Sequence, residues 1–201
     1  MVALCHLIAK GNGIRTLVKT GGVDSIVLAM RLHVKSANIQ QKGSTALSQV
    51  AVVDGPCRAA IVAADGVSAL VEAMNHHGST AGVLERCCTA LAAIAGGDSA
   101  CKAACVNAGV VPAVVSAMTE FLRRGTMQIG GATLLSHLAA GEEELRIGVA
   151  SSGGLIAVCD GMREHGGLLQ MQQIGCQCLH NMSRGSLHLS LIHISEPTRP
   201  Y

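Results

Sequence analysis

Gly66-Val67-Ser68-Ala69-Leu70-Val71-Glu72-Ala73-Met74 is the stretch on which the fold turns, because close relatives of it recur along the chain. Val67, Leu70, Val71 and Met74 stand at i, i+3, i+4 and i+7, which is one face of an α-helix. A step of 44 residues returns the same stripe. Val23, Ile26, Val27 and Met30 precede it, while Val111, Val114, Val115 and Met118, then Leu155, Val158, Cys159 and Met162, follow. Each methionine comes after a small residue, Ala29, Ala73, Ala117 or Gly161. A fixed period of this length marks units that bury their apolar faces against one another, so one elongated body is expected rather than separate globules.

Working outward from that stretch, one period contains three helical pieces. Val67 to about Asn75 is the first, closed by the polar turn His76-His77-Gly78-Ser79-Thr80, whose Gly and Ser interrupt a helix. Gly82 to Ala95 is a longer helix, and Gly96-Gly97 is expected to end it in the left-handed conformation open to glycine. Asp98 or Ser99 then caps Ala100 to Asn107 before Gly109 turns the chain. The corner recurs as Gly21-Gly22-Val23, Asp65-Gly66-Val67, Ala108-Gly109-Val110 and Ser152-Gly153-Gly154. The period therefore divides residues 1–188 into a partial unit 1–21, repeats 22–65, 66–109 and 110–153, and a partial unit 154–188.

Composition agrees with an all-α chain. Hydrophobic residues make up 49% and aromatics 1%, so the core must be built from Ala, Val, Leu, Ile, Met and Cys, whereas a β-sandwich draws more on aromatic residues and Thr. The net charge of +2 courts neither a nucleic-acid polyanion nor an anionic membrane. No apolar run reaches the roughly 18 residues of a membrane span. The mean hydropathy of +0.42 suits helices packed on more than one side.

The longer helix carries its own repeated block. Ala46-Leu47-Ser48-Gln49-Val50-Ala51 matches Ala90-Leu91-Ala92-Ala93-Ile94-Ala95, Leu134-Leu135-Ser136-His137-Leu138-Ala139 and Cys178-Leu179-His180-Asn181-Met182-Ser183. Ala3-Leu4-Cys5-His6-Leu7-Ile8 fits the block with a one-residue shift. With its glycine-hydrophobic opening and this block, the chain resembles the armadillo repeat family, whose repeats hold an Ala-Leu-x-Asn-Leu segment in about 42 residues. The resemblance covers residues 1 to about 186 and implies a right-handed α-solenoid whose third helices line a concave groove.

In the family an Asn of that block grips the backbone of an extended peptide, and a Trp four residues earlier shapes side-chain pockets. The Asn position here holds His6, Gln49, Ala93, His137 and Asn181, and the Trp position holds Val2, Thr45, Thr89, Thr133 and Gln177. Only Asn181 matches, although Gln49 keeps an amide that both donates and accepts. The resemblance thus implies a partner-binding groove lined by His6, Gln49, Ala93, His137, Asn181, Thr45, Thr89, Thr133 and Gln177. Without Trp or a run of acids in that groove, a receptor for basic nuclear-import signals is not indicated.

Other residues fit packing better than chemistry. Eight of the nine cysteines occupy positions where another repeat holds a small or apolar residue, as free buried Cys commonly does. Cys101 and Cys105 share a helical face, but structural zinc wants four ligands, usually with Cys-x2-Cys spacing. Cysteines without a secretory leader point to a reducing compartment, here the cytoplasm or nucleus. His76-His77 reads as a solvated turn, Glu142-Glu143-Glu144 as the acidic start of a short helix, and the methionine row as core. His6 and His137 lie on the groove face with no Ser, Cys or Asp spaced for a catalytic relay. Arg123-Arg124 is a single basic pair, and Phe121 alone could stack on a base.

The expected function is a non-catalytic scaffold that binds a protein or peptide without cofactor or metal. The alternative is the regulatory armadillo segment of a larger kinase or ubiquitin ligase. Leu189-Ser190-Leu191-Ile192-His193-Ile194-Ser195-Glu196-Pro197-Thr198-Arg199 resembles translated sequencing-library adapter, so residues 189–201 are set aside as a non-native tail. A solenoid begun and ended in mid-repeat exposes surfaces made for burial. Self-association through uncapped ends is expected, and a clean monomer in light scattering at high concentration would contradict it.

Overall fold

The structure is a computed structural model that describes residues 11–184; His6, Val2 and the adapter-like segment 189–201 lie outside them. Helices follow one another as α1 (Gly11–Lys19), α2 (Gly22–Leu32), α3 (Ala37–Ala51), α4 (Gly55–Ala63), α5 (Gly66–His76) and α6 (Ala81–Ala95). Then come α7 (Ser99–Asn107), α8 (Val110–Glu120), α9 (Gly125–Ala139), α10 (Glu143–Val149), α11 (Leu155–Glu164) and α12 (Leu169–Ser183). No strand occurs among the described residues. The long helices α3, α6, α9 and α12 stack in sequence, and the middle helices α2, α5, α8 and α11 form a second layer beside them. The short helices α1, α4, α7 and α10 complete each turn. This is an α-solenoid.

The methionine row holds the first two layers together. Met30, Met74 and Met118 are 1%, 2% and 1% exposed, while Met162 in the last described repeat is half-buried. Each faces the residue 13 positions on, in the following long helix. A Cβ on Gly43 would fall 2.5 Å from Met30 Cγ, and one on Gly131 2.5 Å from Met118 Sδ. Such spacings leave no room for a side chain unless the methionine moves.

The corners follow the same ruler. Gly21, Asp65, Gly109 and Gly153 all have left-handed φ, at +74°, +58°, +78° and +88°. Asp65 pays the cost of an L-residue there, while its carboxylate accepts from Ser68 Oγ (2.6 Å) and pairs with Arg31 of α2. Those two contacts hold the Asp65 carboxyl below the ordinary carboxylate range.

The residue after each corner is pressed against the preceding short helix. A Cβ on Gly22 would lie 2.4 Å from Leu17 Cδ1, and one on Gly66 2.7 Å from Ile61 Cγ2. Val110 occupies the same position fully buried, and there the facing residue is Cys105, smaller than Leu17, Ile61 or Val149. One repeat has exchanged volume between two contacting positions.

Helix ends are closed by polar side chains. Asp54 accepts from the Cys57 amide (2.9 Å) and Asp98 from the Cys101 amide (3.0 Å). Glu142 holds the third such position but makes no cap bond through its side chain; Glu143 and Glu144 fill the first turn instead. At the other end of the long helices, Arg58 Nη1 donates to Ala51 O (2.9 Å), Lys102 Nζ to Gly97 O (2.6 Å) and Arg146 Nη1 to Gly141 O (2.8 Å). Cations there satisfy carbonyls left free at a helix C-terminus and oppose its dipole.

Gly96-Gly97 differs from its sequence expectation: Gly96 is right-handed, with φ −68°, and neither glycine has positive φ. Gly97 lies close to the preceding repeat: a Cβ there would fall 2.7 Å from Arg58 Nε, so that side chain would have to shift. His77 also differs from the solvated turn expected of it. It is 9% exposed, and its Nε2 lies 2.7 Å from Val34 O; His165 Nε2 reaches Leu122 O (2.8 Å) in the same way. A carbonyl only accepts, so each ring donates. His76 remains exposed, as read from the sequence.

Residues 143–164 are the one helical run among the described residues long and apolar enough to cross a membrane. Left-handed Gly153 divides that run into α10 and α11, of 7 and 10 residues, each too short to span a bilayer.

The exchanged pair gives a test. Gly66→Val alone should cost about 1–3 kcal/mol by overpacking. Ile61→Cys should recover part of that loss, giving a favourable coupling of about 1 kcal/mol in a double-mutant cycle measured by denaturant unfolding. Strict additivity would refute the volume exchange.

Candidate functional site

Each long helix buries one side against the middle helix and its flanks against neighbouring long helices. What remains is an open face that repeats every 44 residues. On α3 it carries Gln41, Lys42, Thr45 and Gln49, and on α6 Glu85, Arg86, Thr89 and Ala93. On α9 it carries Ile129, Gly130, Thr133 and His137, and on α12 Gln173, Ile174, Gln177 and Asn181. All the groove residues named from the sequence that lie within the described residues share this face. His6 lies outside them.

Their hydrogen bonds distinguish one from another. Thr45, Thr89 and Thr133 donate through Oγ1 to the carbonyls of Gln41, Glu85 and Ile129 at 2.8, 2.8 and 2.7 Å. Each therefore turns a methyl group and an oxygen lone pair outward. His137 Nδ1 donates to Ala92 O (2.8 Å) on the preceding long helix, which leaves Nε2 as the acceptor in the neutral ring. Asn181, 7% exposed, donates from Nδ2 to both Ser136 O and Ser136 Oγ (3.1 Å each) and accepts from Gln177 Nε2 (3.0 Å). Both side chains stitch one long helix to the one before it. Asn181 Nδ2, at the position that the armadillo resemblance assigns to peptide contact, is committed within the fold.

Gln49 is half-buried, with its Oε1 enclosed and unpartnered, and Ala93 holds the equivalent position with no polar side chain. Charge on the face is unevenly placed. Glu85 accepts from Arg124 Nε (2.7 Å) and from Thr126 Oγ1, so its charge is already matched. Lys42 and Arg86, one repeat apart, make no ion pair among the described residues.

Two groups of residues escaped the sequence reading. Gln40, Gln128 and Gln172 recur at the 44-residue step and clamp the middle-helix ends: Gln40 Nε2 donates to Met30 O and His33 O at 2.9 Å each. Gln128 makes the same pair with Met118 O (2.7 Å) and Phe121 O (3.1 Å), and Leu84 replaces the clamp in the repeat between them. The second group is Lys42, Arg86 and Glu85, legible on the ruler only after the open face is known.

Cysteines lie where packing put them, with one exception. Cys57, Cys87, Cys88, Cys101, Cys105 and Cys178 are buried free thiols, and Cys159 is half-buried. Burial raises the thiols of Cys57 and Cys87 to about 11 and those of Cys105 and Cys178 to about 12. Cys176 is exposed, although Ser44, Cys88 and Ala132 at the same position are fully buried beneath the next repeat. The described residues contain no group of three His, Cys, Asp or Glu side chains able to share a metal ion.

No family model and no curated protein matches the chain. Solved structures do. An engineered protein superposes with a TM-score of 0.77 at 26% identity, over 88% of this chain and 68% of its own. A designed armadillo repeat protein, YIII(Dq)4CqI, gives 0.77 at 16% identity, over 88% and 71%. Another, YIII(Dq.V1)4CPAF in complex with peptide (KR)4, gives 0.56 at 14% identity, over 90% of each chain. The fold is that of an armadillo-type α-solenoid.

Thiol chemistry checks the packing. In a Cys5→Ser variant, Cys176 should react with Ellman's reagent at least about 100-fold faster than Cys87, Cys88, Cys105 or Cys178, which need an opening of the fold to react. Equal rates at pH 8 would contradict this arrangement.

Proposed function

We propose that this protein is a non-catalytic scaffold that binds an extended peptide segment of a partner along the concave long-helix face. The observation that carries the reading is the continuous row of open positions at one step per repeat: Thr45, Thr89, Thr133 and Gln177, with Gln49, Ala93, His137 and Asn181 beside them. A surface repeating in steps suits a ligand that itself repeats in steps, as an extended chain does. The resemblance to designed armadillo proteins, one of them in complex with a peptide, supports it.

Within this reading the groove residues divide by task. Asn181 and His137 set the spacing between successive long helices, through Ser136 and Ala92. Thr45, Thr89, Thr133, Gln49 and the small Ala93 meet the ligand. Free thiols in buried sites agree with a reducing compartment, and the reading assigns the protein to the cytoplasm or nucleus.

A random dodecapeptide display library panned on the protein tests the proposal. Thr89→Trp adds bulk at an exposed position and should leave the melting temperature unchanged. It should abolish capture of the selected peptides. If the library gives no peptide sensitive to Thr89→Trp, the concave face is not the binding site.

A further inference from the structure

The open face differs in character between its two halves. On α3 and α6 it carries Lys42 and Arg86, at equivalent positions and without ion-pair partners among the described residues. The acid beside them, Glu85, is 23% exposed and engaged by Arg124 and Thr126. On α9 and α12 the same two registers hold Ile129 and Gly130, then Gln173 and Ile174. Ile129 and Ile174 are partly buried against the core, and the space above Gly130 is open: a Cβ there would meet nothing nearer than Cys88 Cβ at 3.9 Å. The positive half and the apolar half therefore adjoin across the α6–α9 step.

We infer that the groove selects an extended peptide carrying two acidic side chains followed, about one repeat further along, by a bulky apolar side chain. The inference rests on the peptide-binding reading above and specifies its ligand. Lys42 and Arg86 would pair with the carboxylates, and the apolar side chain would enter the space over Gly130 between Ile129 and Ile174. Packed helices lie about 8–10 Å apart, and an extended chain advances about 3.3 Å per residue, so each repeat spans two to three peptide residues. The acids should stand at that spacing, with the apolar residue another two or three residues on. Single-stranded nucleic acid also carries regular negative charge, but it binds through stacking on aromatic side chains, and among the described residues this face holds no Phe, Tyr or Trp.

The test uses fluorescence anisotropy with the full chain and labelled synthetic decapeptides. One peptide carries two glutamates and a leucine at the stated spacing, a second replaces glutamate by lysine, and a third replaces leucine by serine. The first should bind at least about tenfold more tightly than either other and weaken as salt rises, as exposed charge pairs do. Lys42→Glu combined with Arg86→Glu should remove its advantage over the lysine peptide, and Gly130→Leu should abolish its advantage over the serine peptide. Gly130→Leu fills open space on a helix, so its melting temperature should not fall. Equal affinities for the three peptides, preference for lysine, or displacement of the first by an oligouridylate of equal charge would overturn the inference. Peptides recovered from the display library that depend on Thr89 yet lack acids would overturn it while leaving the peptide-binding reading intact.

Discussion

The contact on which the rest depends is a methionine of each middle helix laid against a residue with little or no side chain on the following long helix. Met30 over Gly43 and Met118 over Gly131 leave no space for a Cβ, and Met162 over Gly175 repeats the geometry. Close approach there fixes the distance between the two layers, and so the angle from which each long helix meets the next. Cys87 stands opposite Met74, where a larger side chain is accommodated with both residues still buried. Methionine suits this place, because an unbranched thioether can reshape itself around a neighbour more readily than Leu or Ile.

The apolar frame was legible in the sequence and most of the polar frame was not, for a physical reason. A helix stripe is written within eight residues and is reinforced by repetition, so Val67, Leu70, Val71 and Met74 announce their face locally. His77, Asn181 and Gln128 instead take backbone carbonyls as partners, and His77 and Asn181 find theirs 43 and 45 residues away. A carbonyl carries no residue identity, so nothing in the partner's letter marks the bond. Gly97 shows the complementary error. A glycine at a helix end invites a left-handed reading, yet Gly97 is not left-handed and instead lies close under Arg58 from another repeat. Cys176 departs from the packing position that alignment with Ser44, Cys88 and Ala132 predicted for it: those three are buried and Cys176 is exposed.

Groove identity was legible as a row of positions and illegible as a set of roles. Thr45, Thr89 and Thr133 look alike in sequence and behave alike, each spending its hydroxyl proton one turn back on its own helix. Asn181 and His137 look like ligands and are partly structural, which means that truncating them would disturb the spacing of the whole face. Lys42 and Arg86 carry charge without an ion-pair partner among the described residues, whereas Asn181 and His137 are engaged within the fold.

The junction between repeats 66–109 and 110–153 shows how these two demands meet. Phe121 stands where the neighbouring repeats place His77 and His165, so the outer turn there lacks the side-chain bond to the preceding carbonyl. Leu84 removes a glutamine clamp on one side of the same junction. Polar ties across it lie on the open long-helix face: His137 to Ala92 O, and Glu85 to Arg124 and Thr126. An exposed ion pair of this kind is worth only about 0–1 kcal/mol, so the apolar contact of α6 with α9 carries the stability of this step. The α6–α9 step is also where the positive half of the groove gives way to the apolar half.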